Sequence, residues 1–320
     1  MIEVCVVGEI NLDLILYGLP KDLVLDREHL ASNMAFTLGS SSAIFAHNLC
    51  TLGTQVGFIS KTGNDPLGAM AVERLAAAGV DISRMKQGAG KTSTGLTVVL
   101  PYSQHRYMLT YPGAMFEMQY ADIDMDYLRT ARHFHLSSFY LHRALRPRIG
   151  DLFRQAKEAG LSTSLDTNDD PENEWAQDLM EVLKYVDVFF PNDREAKKIA
   201  RTEDLSHALN LLAGLAKVVV VKRGSDSAIC RSGDEQWSMA PPAVKVVDDV
   251  GAGDTFDSGF IHAYLLGAKL EDCLAFANIA AAYSVTKEGG TEAFRDRSAL
   301  SAFVREQWNA LGRGALPVKG

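Results

Sequence analysis

Short β-branched and aromatic runs alternate with longer stretches whose apolar residues recur at helical spacing, and this rhythm holds over most of the chain. Val4–Gly8 (VCVVG) is apolar at successive positions and predicts a strand buried on both faces. Ser42–Leu52 predicts a helix stopped by Gly53, and Val56–Ser60 a second strand. Pro66–Ala78 predicts a helix with Asp65 as its cap, Pro66 in the first turn and Gly79 just past the end. The alternation resumes with HFHLSS (133–138), a helix over about 145–159, LSTSLD (161–166) and DVFFPN (187–192). Helices from about 193 and over about 204–214 follow, then KVVVVKRG (217–224). Strand, helix and strand in succession, with short connections, predict an α/β fold over residues 1–320 as one domain. Its sheet is mostly parallel, with right-handed crossovers and helices on both faces.

One stretch departs from the rhythm. Thr92–Tyr111 is β-branched and aromatic with a turn at about Pro101–Gln104, which predicts a hairpin. The extended segments at about 10–18 and 33–38 join it as a small accessory β sheet over one end of the core.

Composition narrows the function classes. At 47% hydrophobic and 22% charged, the chain has the make-up of a folded globule and not of a disordered one. Forty acids against 32 bases give a net charge of -8, which argues against a nucleic-acid partner. No apolar run has the length of a membrane span, and the first residues do not read as a signal peptide. Cys5, Cys50, Cys230 and Cys273 are scattered, without a CxxC pair, so the expected setting is reduced and cytoplasmic.

The strongest local signal for chemistry is VDDVGAGDTF (247–256), read as joining a β-like run, VKVV, to a helix over Thr255–Leu266. Gly251 and Gly253 let backbone amides converge at a helix start, where orphan N–H groups and the helix dipole favour an anion. Asp254 sits at that same point. An acid there suits removal of a proton from an acceptor hydroxyl, whereas the blander reading makes it a helix cap. Asn11 and Asp13, at i and i+2 on an extended segment, point the same way as a polar comb suited to sugar hydroxyls. Leu38–Asn48 (LGSSSAIFAHN) is a small-residue loop opening a helix. Asp166-Thr-Asn168 and PNDRE (191–195) follow strand ends, where ligands of parallel sheets bind, and Asn192 with Glu195 could hold metal-bound water.

These pieces, in this order, resemble the ribokinase-like sugar kinases, the phosphofructokinase B family. The resemblance runs from GEINLD through LGSSSAIFAHNLCTLG, TGNDPLG, TYPGA, DTN, PNDRE and GAGDTF to TKEGGTEAF (286–294). It implies a ribokinase-like fold with a β lid, ATP and Mg²⁺ as cofactors, and a small sugar as substrate. Asp254 would be the base, and the amides of Gly251, Ala252 and Gly253 an anion hole. Glu195, with Asn192, would organise Mg²⁺ and the phosphates. Asn192, Lys222, Gly224 and Asn278 would bind the nucleotide, while Asp248 and the Val250 carbonyl would hold K⁺. Asn11, Asp13, Gly39, Ser40, Arg106 and Asn168 would contact the sugar, and the lid implies a homodimer through its strands.

The chain also departs from the family. Ile44 stands where an Asn is common, Ser40 where a second Gly is common, and Asp170 where members acting on acidic keto-sugars carry Arg. A carboxylate at 170 would repel a carboxylate substrate, so a neutral fructose- or ribose-like sugar is expected unless Arg106 supplies a counter-charge. A nucleoside kinase, marked by an aromatic clamp for a base, and a 2-keto-3-deoxygluconate kinase are the alternatives, with a non-catalytic sensor behind them. GAGKTS (88–93) imitates a phosphate loop but is followed by a β pattern and reads as a plain loop. His133 and His135 alternate along a strand and read as hydrogen-bonded core histidines, not metal ligands.

Overall fold

The computed structural model describes residues 2–88, 90–102, 105–175 and 178–317. In chain order the strands are β1 (Val4–Val7), β2 (Asn11–Tyr17), β3 (Asn33–Leu38), β4 (Val56–Ile59), β5 (Lys61–Thr62), β6 (Lys86–Gln87) and β7 (Gly95–Tyr102). They continue as β8 (His105–Tyr111), β9 (His133–Leu136), β10 (Ser162–Leu165), β11 (Val188–Phe189), β12 (Val218–Val221), β13 (Ala228–Ser232) and β14 (Glu235–Met239). The helices are α1 (Ser41–Thr51), α2 (Pro66–Ala78), α3 (Met125–Arg129), α4 (Ile149–Glu158) and α5 (Asp178–Leu183). After them come α6 (Asp193–Ile199), α7 (Leu205–Ala213), α8 (Ala252–Leu265), α9 (Leu270–Ser284) and α10 (Arg297–Ala310).

An eight-stranded sheet in the order β14-β13-β12-β11-β10-β9-β1-β4 forms the centre. Every pairing from β12 to β4 is parallel, and β13 pairs antiparallel with both β12 and β14. Side chains alternate across β1. Val4 and Val6 join a core with Phe45, Phe260 and Phe276, and Cys5 and Val7 join another with Phe134, Phe153 and Leu209. Burial on both faces is why these strands read as unbroken apolar runs. The local punctuation of α2 is as the residues dictate: the Asp65 side chain accepts from the Gly68 amide at 2.8 Å, and Gly79 closes the helix at φ 96°.

A second sheet, β3-β2-β7-β8, lies over the carboxyl ends of the parallel strands, and β5 pairs with β6. The expected turn at 101–104 includes residues 103 and 104, which lie outside the described residues, as does Ala89 of the 88–93 stretch. Among the described residues no helix is long and apolar enough to cross a membrane.

Three expectations need correction. VKVV (244–247) forms no strand: Val246 and Val247 are exposed and run outside the sheet. α8 begins at Ala252, three residues before the expected start, because Gly251 at φ 72° is its cap. β13 and β14 were not expected at all, since half-exposed antiparallel edge strands mix polar and apolar positions without a clean period. The strand histidines behave as read. His133 contacts the hydroxyls of Ser162 and Ser164 at 2.8 and 2.7 Å, and His135 those of Ser164 and Ser137, both at 2.7 Å. Burial drives the acidity of the His133 imidazolium up, to a pKa of about 3.

Candidate active site

Parallel strands place the residues that follow them on one edge of the sheet, and here five strand ends converge. Glu9 follows β1, Ser138 follows β9, Asp166 and Asn168 follow β10, Asn192 follows β11, and Lys222 follows β12. With β2, β7 and β8 above and the start of α8 beside them, they line a cavity of about 420 Å³. It brings together Asn11, Asp13, Ser40, Arg106, Asn168, Asn192, Glu195, Lys222, Gly224 and Val250–Asp254 from across the sequence.

The start of α8 carries the acid. Gly251 caps the helix with no side-chain hydrogen bond, so Asp254 is not spent as a cap. A Cβ on Gly251 would meet the Gly290 Cα at 2.8 Å, and its φ lies in the left-handed region, so only glycine suits this corner. The Gly253 and Asp254 amides fall in the first turn, where a helix offers no internal acceptor. The Ala252 N–H, by contrast, closes on the Asp249 carbonyl at 3.2 Å, which removes it from the expected trio of anion-hole donors.

Charge inside the cleft is crowded. Lys222 Nζ lies 2.9 Å from both Asp166 and Asp257, and burial of Asp257 together with neighbouring acids pushes its carboxyl well up. Burial, with Asp166 close by, raises Asp254 to about 7, and burial with Asp254 and Asp248 nearby raises Asp13 to about 7 as well. Glu195 is raised for the same reasons, burial first and then Asp166. It also forms a reciprocal cap with Asn192, whose backbone N–H donates to Oε2 at 2.8 Å and whose amide donates to Oε1 at 2.6 Å.

Several expected ligand contacts have other duties. Gly39 does not line the cavity; a Cβ there would fall 2.1 Å from an Asp13 carboxylate oxygen, so its absence makes room for Asp13 and Asn11. Ser40 Oγ donates to the Glu9 carbonyl at 2.7 Å and accepts from the Ala43 amide, capping α1. Asn168 gives its amide hydrogens to Ser41 and Ser138, at 2.9 and 3.3 Å. Asp248 lies behind the wall and accepts from Tyr17 O–H, Gly289 N–H and Val250 N–H at 2.6, 2.9 and 3.0 Å. Asn278 lies off the cavity and donates to the Met239 carbonyl at 2.9 Å. Arg106 reaches from the lid to an ion pair with Asp249.

Asp170 overturns an argument made from the residues alone. Its carboxylate accepts from the amides of Glu172, Glu174 and Trp175 at 3.1, 2.8 and 2.7 Å and does not line the cavity, so it is not placed to meet a substrate directly. The amides that follow it in the chain satisfy it locally. Ile44, in turn, forms an aliphatic wall with Val99, Met108, Met115 and Leu141. Glu9, Ser41, Ser138 and Asp257 were missed. Nothing local to GEI or SSSA separates a site residue from packing, and only the strand-end position of Glu9 offered a clue.

Residues 1–297 match the pfkB family of carbohydrate kinases. The chain belongs to that family. Family membership makes it a phosphotransferase that acts on a sugar. It is 29% identical over 313 residues to an ATP-dependent ribose-1-phosphate kinase of Halopiger xanaduensis, covering 97% of this chain and 100% of the relative. It is 27% identical over 294 residues to a 2-dehydro-3-deoxygluconokinase of Bacillus subtilis, covering 87% and 90%. Among solved structures, a candidate ribokinase II from E. coli in complex with ATP and Mg²⁺ superposes with a TM-score of 0.84 at 26% identity, covering 96% of this chain and 100% of that one.

Proposed function

We propose that this pfkB kinase transfers the γ-phosphoryl group of ATP to a hydroxymethyl group of a small, neutral, fructose- or ribose-like sugar. The observation that carries this reading is Asp254, a half-buried acid that is not the cap of its helix, beside the first-turn amides of α8 in a cavity lined by Asn11 and Asp13. Asp254 takes the proton as the sugar oxygen attacks in line, and the Gly251 and Gly253 amides stabilise the charge that develops on the phosphoryl oxygens. Asn11 Oδ1 is buried without a partner and Asp13 is an acceptor when ionised, so both receive sugar hydroxyls. Lys222, Gly224 and Asn192 border the nucleotide, and Asn278 supports its base from behind the wall.

Among the described residues no three acids are grouped to cage a metal directly, but Asp166, Glu195, Asp254 and Asp257 all act on the ammonium of Lys222, a surplus of negative charge that suits a divalent cation held through water. Asn192 and Glu195 would hold Mg²⁺ through water, as suits an ion that keeps most of its water and the phosphates as ligands. When bound, Mg²⁺ supplies neutralisation of the phosphate charge. Asp248 and the Val250 carbonyl would hold K⁺; equal rates in potassium chloride and choline chloride would remove it.

The neutral sugar now rests on other ground than Asp170. Six acids, Glu9, Asp13, Asp166, Glu195, Asp249 and Asp254, line the cavity against Lys222 and Arg106, a balance that disfavours an anionic substrate. An acidic keto-sugar remains the second reading, because Arg106 lines the lid side and could exchange Asp249 for a carboxylate. The wall of Ile44, Val99, Met115 and Leu141 is aliphatic, which suits the C–H edge of a sugar better than stacking with a base. The test is ADP release with ATP, Mg²⁺ and, in turn, fructose, ribose, 2-keto-3-deoxygluconate and adenosine. Saturable turnover only with adenosine, or with no acceptor, sinks the sugar reading.

The pH dependence follows from the acid's raised pKa. Asp254 must be ionised to accept a proton, so kcat/KM for the sugar should rise with pH through about 7 and level off above it. Stability runs the other way. The raised pKa values of Asp13 and Asp254 contribute stability that is full below the ordinary carboxylate range and lost as pH rises through about 7. A flat rate from pH 5 to 9 contradicts this assignment.

We read residues 1–320 as one domain, since the lid and the core share one site. The lid's outer side exposes Met34, Tyr107, Leu109 and Tyr111, which supports a homodimer through the lid. Tyr107→Asp should then convert a dimer to a monomer in sedimentation velocity; a wild-type monomer at micromolar concentration ends that reading. Four free, buried thiols fit a cytoplasmic setting, which fluorescent tagging in the source cell would check.

A further inference from the structure

The lid holds the chain just before the Gly251 turn at three successive residues, each by a different kind of contact. Tyr17, at the end of β2, donates its O–H to Asp248 Oδ2 at 2.6 Å. Arg106 of β8 forms an ion pair with the next residue, Asp249. Ile15 of β2 and Val99 of β7 form a small apolar cluster with the third, Val250, apart from the two cores that flank the central sheet. Behind the turn β3 adds a further grip. Asn33 donates to Glu288 at 2.9 Å, and a Cβ on Gly289 would fall 2.8 Å from the Thr37 side chain. Gly290 in turn packs against Gly251.

The same residues are tied on their other side to the core and to the turn. The amides of Val247 and Asp248 donate to the Val285 carbonyl at the end of α9, at 2.7 and 3.3 Å. Asp248 Oδ1 accepts from Val250 N–H at 3.0 Å, and Oδ2 also accepts from Gly289 N–H at 2.9 Å. The Asp249 carbonyl accepts the Ala252 N–H, inside the turn itself. The lid contacts are unequal. The side chains of Arg106 and Asp249 are 37 and 69% exposed, and an exposed ion pair contributes little. Asp248 is 8% exposed, so its carboxylate depends on its donors, and of the three named Tyr17 alone belongs to the lid.

We propose that residues 248–250 are a strap through which the lid sets the Gly251–Gly253 turn, and that Tyr17 is the positioning residue that couples the two. A lid seated on the strap holds the turn where the transferred phosphoryl group is to be met. A lid that lifts takes a donor from Asp248 and the packing from Val250, and the turn loses its support on that side. Donors stabilise developing charge only where they are already in place, and misplacing reacting groups by about 1 Å can cost about 10²-fold in rate. The proposal rests on the kinase reading above, in which this turn receives the phosphoryl group.

The experiment compares full-length wild type, Tyr17→Phe, Asp248→Asn and the Tyr17→Phe/Asp248→Asn pair, using the best sugar of the acceptor panel in potassium chloride and in choline chloride. Tyr17→Phe should lower kcat about tenfold in both salts, with KM for ATP within about twofold of wild type. In the Asp248→Asn background the same change should alter kcat by less than about twofold, because the bond it removes is already disturbed. A second measurement needs no acceptor. Hydrogen–deuterium exchange read by mass spectrometry should be at least about threefold faster over residues 247–256 in Tyr17→Phe and unchanged over α2, whereas general loosening would speed both. A kcat within about twofold of wild type, or effects of the two substitutions that simply add, overturns the proposal. So does a deficit confined to potassium chloride, which would mean that Tyr17 acts through a cation on Asp248. If the Asp248 variants do not fold, exchange and kcat in Tyr17→Phe decide. Unchanged exchange over 247–256 refutes the strap even where no sugar turns over and the kinase reading itself has failed; faster exchange there supports it apart from that reading.

Discussion

Replacing Asp254 by Asn should lower kcat by about 10²- to 10⁴-fold while equilibrium binding of ATP stays within about twofold of wild type. The amide keeps the size of the side chain and Gly251 remains the cap, so the start of α8 stays as it is. What it cannot do is take a proton from the sugar hydroxyl as the phosphoryl group departs. Because the loss belongs to the chemical step, it should appear in kcat at saturating sugar, measured by ADP release. Wild-type turnover in this variant would remove the general-base role, and with it the proposed mechanism.

Lys222→Met should cost about 3–5 kcal/mol of folding stability, the scale for removing one partner of a buried ion pair. Lys222 Nζ is the ammonium shared by Asp166 and Asp257, which are 3% and 1% exposed. Methionine matches its length and packs as well, so the cost falls on the two carboxylates left facing each other without a cation. Urea unfolding at pH 8 should show the loss. Adding Asp257→Asn to Lys222→Met should recover a large part of it, because one of the stranded charges is gone. A single variant as stable as wild type would mean that the carboxylates do not depend on this lysine.

Much of the fold was legible because its signals are short-range. The cap, first-turn proline and terminal glycine of α2 lie within 15 residues, Asp65 to Gly79, and each acts on its own turn. The all-valine β12 could only be a strand buried on both faces. The accessory sheet was legible from period and residue type, although its parallel pairing of β2 with β7 joins segments some 80 residues apart. VKVV misled because β propensity describes what suits a pleated surface, and no partner strand was there to supply one.

The site was legible in its parts. Asp254, Asn11 and Asp13 were named from the sequence and line one cavity, whereas Asp248 and Asn278 lie behind its wall. The two aspartates at 170 and 254 show where sequence reasoning stops. Each follows a turn, and each looked like a charge aimed at a ligand. Asp170 is taken up by three amides two to five residues away, while Asp254 feels the charges of Asp166 and Lys222 from distant parts of the chain.

By itself, the order of residues determined the α/β architecture, the place of most strands and helices, the lid and the family. Periodicity, caps and turn glycines act between neighbours in the chain. Tertiary structure alone decided which carboxylates face the cavity, which amides are free to meet an anion, and that Ser138 meets Glu9 and Asn168 meets Ser41. Those outcomes depend on atoms brought within 3 Å from segments more than a hundred residues apart, and no local pattern records them.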